Sequence, residues 1–158
     1  MRGINELYAS LTSLLSEILE LDKNICGIVL TTKSGQLIDY VTSKGFLDKS
    51  DISSFEELAA TIAAMFGATV ATGEDFNLGA SQTILAEFAN GRIVIVPCGA
   101  ESILAIITSK DLALGNIRLI AKKYARKIAE IISQLFKNVE QEIKVFAQSH
   151  PNIISEII

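Results

Sequence analysis

Residues 84–99, which read ILAEFANGRIVIVPCG, constrain the fold more than any other part of the chain. Asn90-Gly91 between two apolar runs is the strongest short signal for a hairpin with a type I′ turn, so it predicts two antiparallel strands. An antiparallel sheet with one face in water alternates apolar and polar residues, whereas residues 93–96 are Ile-Val-Ile-Val. We therefore expect both faces of this hairpin to be covered.

The rest of the chain predicts layers that can cover both faces. Apolar residues three and four apart indicate a first helix over residues 4–21 and a last helix over residues 117–146, which would break near Asn138 if it breaks at all. After the first helix, two strand-like runs flank a turn at Gly35. A middle helix then occupies residues 54–72, with Gly73 as its terminator, and a third strand follows the hairpin. The expected fold is α/β (α+β), in the order α-β-β-α-β-β-β-α. It is a three-layer α-β-α sandwich around a five-stranded antiparallel sheet, with the first and last helices on one face.

Composition limits the class of protein. A chain of 158 residues is expected to form one domain, and 49% apolar residues with a mean hydropathy of +0.40 leave apolar surface for a partner. A net charge of −4 argues against nucleic acid as the main partner. Acidic residues in the first helix argue against a secretory signal, and the longest uncharged run, residues 58–73, is too short to span a membrane. With Cys26 and Cys98 expected to be free, buried thiols, the predicted location is the cytoplasm.

The middle helix is the most informative element. Its larger side chains form one stripe that fits the sheet, and the opposite side is made of small residues: Ala60, Ala64, Gly67, Ala68 and Ala71, with Ala59 and Ala63 beside them. Alanine alone can explain such a helix, because it is the best helix former. A second helix packed there would instead repay the roughly 1 kcal/mol that Gly67 costs inside a helix. Since the other two helices are assigned to the far face, that second helix would come from another subunit, in a twofold homodimer.

Residues that carry chemistry are lacking. The glycines form no phosphate-binding loop, no metal-ligand spacing occurs, and His150 stands alone near the C-terminus. We expect no catalytic, metal-binding or cofactor-binding residues and no enzymatic activity. One charged cluster remains on the last helix: Arg118, Lys122, Lys123, Arg126 and Lys127. It is either the solvated face of an amphipathic helix or a docking patch for an acidic partner or an anionic lipid surface.

Three segments together resemble the Roadblock/dynein light chain domain family: CGIVLTTKSGQLIDY, TILAEFANGRIVIVPCGAESILAIITSK and ALGNIRLIAKKYARKIAEI. The shared pattern is an apolar strand, a glycine turn, a second strand, an Ala-rich helix, an Asn-Gly hairpin and a Leu-Gly pair that opens the last helix. Leu114-Gly115 supplies that pair. The resemblance covers about residues 5–135, and it implies a profilin/longin-like fold with a Roadblock-type domain over residues 1–137. Residues 138–158 would form a helical extension or a tail that orders on binding.

The resemblance also implies partners. Members of the family dimerise by pairing their third strands and aligning their second helices, which here would place Thr83 and Leu85, within a strand of about residues 79–88, at the interface. They are non-enzymatic platforms for Ras-like small GTPases, and a rim of Glu56, Glu57, Glu74 and Asp75 would contact the GTPase. Residues 55–91 contain no arginine, so we expect no arginine finger from this platform. Two alternatives stay open: a structural adaptor of a motor or scaffold that pairs with another Roadblock-type chain, and a small-ligand sensor.

Overall fold

The computed structural model describes residues 2–46 and 52–153. In chain order its elements are α1 (Ile4–Glu20), β1 (Ile25–Thr32), β2 (Leu37–Thr42), α2 (Ile52–Asp75), β3 (Ile84–Phe88), β4 (Gly91–Cys98), β5 (Ser102–Thr108) and α3 (Leu114–Ser149). The predicted order of helices and strands is confirmed.

The five strands form one antiparallel sheet in the order β2-β1-β5-β4-β3. The long apolar strands β1, β5 and β4 occupy the centre, and β2 and β3 form the two edges. A core on one face joins α1 and α3 to residues such as Ile28, Val94 and Leu104. A second core on the other face joins α2 to residues such as Val29 and Ile95. Strand β4 is therefore buried on both faces, as its unbroken apolar run predicts.

The hairpin is present, but its turn differs from the sequence prediction. Phe88 pairs with Gly91, so the two loop residues are Ala89 and Asn90 and not Asn90 and Gly91. A type I′ turn needs left-handed φ at both loop residues, and Asn77 is the only non-glycine residue in the described part of the chain with such a φ. Gly91 instead opens β4, where a Cβ atom would lie 2.7 Å from the carbonyl oxygen of Thr108. The type I′ prediction is wrong, and close approach of β5 explains the glycine.

The ends of α2 also differ from the prediction. The helix starts at Ile52 and continues through Gly73 to Asp75. Gly73 is buried inside the last turn, next to the backbone of Gly79. The approach is so close that a Cβ atom at Gly73 would collide with the Gly79 carbonyl oxygen. Gly79 itself has a left-handed φ of +88° and turns the chain toward β3. The glycine was correctly recognised as a feature of this helix end, but it serves close packing and not termination.

Helix α3 is unbroken over 36 residues and passes straight through Asn138. Its length is about 54 Å at 1.5 Å per residue. The Asn138 side-chain amide donates a hydrogen bond of 2.7 Å to the Arg2 backbone carbonyl, and this contact marks where α1 stops accompanying α3. A boundary at residue 137 remains a prediction. No helix of the described residues combines the length and the apolarity needed to cross a bilayer.

Candidate functional site

Helix α2 has two opposite faces. Phe55, Ile62 and Phe66 are buried against the sheet together with Ala59 and Ala63. The sequence prediction placed those two alanines beside the small-residue face and did not select Phe66 for the sheet face. These five residues follow helical spacing, at steps of four, three, one and three, so the pattern in the sequence was sufficient to identify this face.

The other face of α2 is exposed in the single chain. All five small residues selected from the sequence lie on it: Ala60, Ala64, Gly67, Ala68 and Ala71. A Cβ atom added at Gly67 would meet no atom within 4 Å. The fold of one chain therefore gives no reason for a glycine in the middle of this helix, although glycine is costly there. We call this surface the small-residue face.

Four acidic residues lie at the ends of the small-residue face. Glu57 precedes Ala60 by three positions and Asp75 follows Ala71 by four, so both lie in line with the small residues, and Glu56 and Glu74 lie next to them. All four side chains are exposed. The two pairs are about 27 Å apart along the helix, at 1.5 Å per residue. They therefore form the two ends of a long uncharged strip and not one acidic cluster.

Strand β3 provides a free sheet edge. It covers Ile84–Phe88, and the expected pairing region before it, residues 79–83, is not a strand. Within the described sheet β3 pairs with β4 alone. Leu85 lies opposite Val94 of the core beneath α1 and α3, and Thr83 lies just before the strand and is half-buried. Leu85 therefore faces away from α2, on the side of the sheet that α1 and α3 cover.

Three exposed apolar side chains near this edge were not selected from the sequence. They are Phe76 and Leu78, which are 73% and 74% exposed after the end of α2, and Phe88, which is 61% exposed at the end of β3. The high apolar content of the sequence predicts that some apolar side chains are exposed, but composition does not say at which positions. A hydrogen bond of 2.7 Å between the hydroxyls of Thr69 and Ser81 ties the connecting segment back to α2. This bond joins the connector that leads into β3 to the C-terminal half of α2.

Arg92, which pairs with Glu87 of β3, is engaged within the chain. Its guanidinium donates a hydrogen bond of 2.7 Å to the Leu112 carbonyl and forms an ion pair with Glu87 at 3.3 Å. Only 24% of the side chain is exposed. An arginine held in this way is a positioned strand residue and has poor reach toward a second protein.

The basic cluster lies on α3, which covers the face of the sheet opposite α2. Two of its members, Lys122 and Arg126, line a pocket together with residues 80–82 of the segment between α2 and β3. All five residues of the cluster are exposed on α3, and none forms an ion pair within residues 2–46 and 52–153. Lys123 and Lys127 lie over the ring of Tyr124, at 5.7 Å and 5.1 Å from its centroid. Burial and the neighbouring Glu17 carboxylate raise the pKa of Tyr124, which is consistent with a ring that packs inward beneath its two lysines.

The polar and sulfur groups of the interior do not form a reactive site. Cys98 is buried and Cys26 is half-buried, and both thiols are free. Burial raises the pKa of the Cys98 thiol to about 12 and raises that of Cys26 as well, so both stay protonated at neutral pH. The part of the chain that the structure describes contains no group of three His, Cys, Asp or Glu residues that could hold a metal ion.

A small-ligand sensor would need polar groups that converge in the core, and Thr31, Thr32 and Thr83 do not converge. The Thr31 hydroxyl donates to the Gln36 carbonyl at 2.9 Å, and the Thr32 hydroxyl accepts from the Gln36 amide at 3.0 Å. These bonds close the turn between β1 and β2. Thr83, on the far edge of the sheet, has a buried hydroxyl without a partner among the described residues. The polar groups of a small-molecule site would have to meet around one cavity, and these do not.

Comparison with known proteins identifies relatives of this fold. The model of the Roadblock/LC7 domain matches residues 11–108. Protein MJ1340 of Methanocaldococcus jannaschii, which is uncharacterised, is 33% identical over 73 residues. That alignment covers 46% of this chain and 63% of the relative, so the chain spans less than two thirds of the relative's length.

Solved structures extend the likeness to most of the chain. A structure of MglB with a tetrameric arrangement superposes with a TM-score of 0.74 at 18% identity, over 85% of this chain and 95% of that one. The gliding protein MglB from Thermus thermophilus gives a TM-score of 0.73 at 17% identity, with the same coverage of both chains. At such low identity these matches show a shared fold.

Proposed function

Because the chain belongs to the Roadblock/LC7 domain family, we propose that it is a dimeric, non-enzymatic platform that binds a Ras-like small GTPase and regulates or localises it. The observation that carries this proposal is that one chain leaves exposed both a small-residue face on α2 and a free sheet edge at β3, with the connector between them tied to α2. Both features are costly in an isolated chain and favourable in a pair.

The sheet edge supports the dimer. An exposed edge strand leaves backbone amides and carbonyls without partners, and natural proteins protect such edges with charges, bulges or prolines. Residues 84–88 read Ile-Leu-Ala-Glu-Phe, with one charge and no proline. Pairing β3 with its twofold mate would satisfy the edge in both chains and produce a continuous ten-stranded sheet.

The small-residue face supports the same pairing. Alanine and glycine let two helix backbones approach closely, and Gly67 at the centre, which has no side chain, allows the nearest approach. The exposed Phe76, Leu78 and Phe88 would be covered beside the helix pair, where aromatic residues contribute most to interface energy. The dimer therefore uses the apolar surface that one chain leaves exposed.

The acidic ends of the paired α2 helices are the proposed contacts for the GTPase. Glu74 and Asp75 at the C-terminal end of α2 are unfavourable for the helix itself, since they lie at the negative end of its dipole. A basic partner would repay that cost. The platform would act by holding the GTPase and positioning the GTPase's own catalytic residues, because Arg92 is tied to Leu112 and Glu87.

The dimer is tested by Ala64→Arg, which places a long cation at the centre of the small-residue face in both chains. Light scattering should show a halved molar mass, with the far-ultraviolet circular dichroism spectrum unchanged, because Ala64 is exposed in the single chain. Ala9→Arg, at an exposed alanine of α1, is the matched control and should leave the mass unchanged. An unaltered mass for Ala64→Arg would contradict the proposed interface.

The partner is tested by immobilising the intact protein and exposing it to lysate of its own cells, with either excess GDP or a non-hydrolysable GTP analogue. A small GTPase enriched only with the analogue, and lost with Glu74→Lys/Asp75→Lys, supports the platform. Capture of another Roadblock-type chain regardless of nucleotide, with no GTPase, would assign the protein to the adaptor class instead.

A further inference from the structure

The last part of α3 carries an apolar seam that is exposed in the part of the chain that the structure describes. We call residues 136–149 the α3 extension. Its apolar residues recur at alternating steps of three and four, as Phe136, Val139, Ile143 and Phe146, and His150 takes the next position. This is the a/d pattern of a two-helix coiled coil. All five side chains are exposed, Ile143 most of the apolar four at 58%.

The seam continues the core-facing stripe of the same helix. Ile132 and Leu135 are buried beneath α1, but α1 begins at Ile4 and the contact between Arg2 and Asn138 is at its end. Beyond that point the helix extends for about 16 Å, at 1.5 Å per residue, and among the described residues only its first turn lies near another element. The apolar side chains of this segment are exposed to water, and a partner that covers them would recover the free energy of their burial.

A groove lies at the base of the α3 extension, on the seam's side. Phe136 and Val139 line it together with Tyr8 of α1 and with Leu37 and Ile38 of β2, and its volume is about 250 Å³. At the far end of the seam the ring of Phe146 is stacked on His150, with the ring centres 4.3 Å apart. One face of one helix therefore carries a groove at its base and a ridge at its tip.

We propose that the α3 extension pairs with the same segment of a second copy of this chain, antiparallel, with the twofold axis between Ile143 and Phe146. Ile143 then packs on Phe146 of the other copy, and Val139 lies opposite His150 of the other copy. Each tip covers the groove at the other's base. A twofold pairing needs this kind of self-complementary surface.

Charge and area favour a second copy as the occupant. Residues 136–153 contain two lysines, Lys137 and Lys144, and two glutamates, Glu140 and Glu142, so two copies meet without net repulsion. With roughly 200 Å² for a whole aromatic side chain, the four apolar residues expose on the order of 300 Å² per chain. Two seams together offer about 600 Å² of apolar surface. Tyr8 and Ile153, each 45% exposed, and the polar residues beside the seam add to this area in both copies, toward the ~1,000 Å² that a specific interface requires.

The pairing goes beyond the proposed platform and uses a different surface. Helix α2 covers one face of the sheet and α3 the other, so both interfaces can form in the same chain. Each α2-linked dimer would present two α3 extensions. If both α3 extensions of one dimer pair with the two extensions of a second dimer, the second of these contacts forms within an already joined assembly. The assembly then closes with four chains.

Ile143→Glu tests the pairing, with Val145→Glu as the matched control. Val145 is also 58% exposed and equally apolar, but it lies on the opposite side of the helix from the seam. Over a wide range of concentration, light scattering on the full chain should give a halved molar mass for Ile143→Glu and the wild-type mass for Val145→Glu. Equal masses for Ile143→Glu and wild type, or an equal loss for both variants, would overturn the proposal.

Combination with Ala64→Arg separates the two interfaces. Ala64→Arg alone should leave a dimer held by the α3 extensions, Ile143→Glu alone a dimer held by α2 and β3, and the double variant a monomer. If Ala64→Arg changes nothing while Ile143→Glu still halves the mass, the proposed α2 interface is wrong and the seam pairing stands.

The antiparallel direction is tested by mixing two variants that are each unable to pair. Phe146→Lys, like Ile143→Glu, should have a reduced mass by itself. In an antiparallel pair the carboxylate introduced by Ile143→Glu in one chain meets the ammonium introduced by Phe146→Lys in the other. The remaining contact of the same pair is between the native Phe146 of the first chain and the native Ile143 of the second. An equimolar mixture should therefore recover the wild-type mass. A parallel pair would place each charge opposite an apolar residue, and a mixture that stays small would refute the arrangement.

Discussion

Replacement of Gly91 distinguishes between two explanations for the most prominent signal in the sequence. If Gly91 were the second residue of a type I′ turn, asparagine would replace it well and alanine poorly, because asparagine tolerates left-handed φ. In the structure Gly91 begins β4, and any Cβ atom would lie 2.7 Å from the Thr108 carbonyl oxygen. We therefore expect Gly91→Ala and Gly91→Asn to destabilise the protein equally.

The magnitude follows from the position of Thr108. This residue lies on β5, between β1 and β4, and pairs with Ile25 on one side and Arg92 on the other. Its carbonyl cannot retreat without disturbing the centre of the sheet, so the cost is that of overpacking, about 1–3 kcal/mol. A loss of about 2 kcal/mol moves the urea midpoint by roughly 1 M for an m-value of about 2 kcal/mol/M.

The assay is urea unfolding followed by circular dichroism, at one fixed protein concentration because the protein is proposed to be oligomeric. Asn90→Ala is the companion variant. Asn90 is exposed and lacks left-handed φ, so its replacement should change the free energy of unfolding by less than about 0.5 kcal/mol. A mild effect of Gly91→Asn beside a large effect of Gly91→Ala, together with a loss above about 1 kcal/mol for Asn90→Ala, would refute the close-approach explanation.

Two further predictions concern Cys98 and Arg92. In the unfolded state the Cys98 thiol has a pKa of 9.0, and burial raises its pKa to about 12 in the folded state. Between these two pH values the unfolded state therefore binds fewer protons than the folded state. The free energy of unfolding should consequently fall as the pH rises above 9. Cys98→Ala should reduce this slope, by up to about 1.4 kcal/mol per pH unit, in unfolding experiments at several pH values; an unchanged slope would contradict the assignment. Arg92→Ala should cost about 1.5–3 kcal/mol of stability, since it removes a charged donor from the Leu112 carbonyl. It should leave GTP hydrolysis by a bound GTPase unchanged, and a collapse in single-turnover hydrolysis would show that Arg92 acts in trans.

Local patterns were sufficient for the architecture. The apolar run of β4 correctly predicted a sheet covered on both faces, because a strand with no polar side can persist only between two layers. The small residues of α2 correctly predicted an exposed face without charge, because helical spacing alone places residues on one side. The family and the order of helices and strands followed from the same patterns.

Contacts between distant segments decided the rest. Gly73 and Gly91 both looked like turn glycines, and both are required by the close approach of a backbone carbonyl from another segment, that of Gly79 and that of Thr108. The exposure of Phe76, Leu78 and Phe88 depends on where β3 lies in the sheet, and the exposed seam of α3 depends on where α1 begins. A sequence records which faces are apolar, since periodicity is local. Which apolar faces remain without a partner is known only once every other segment has been placed.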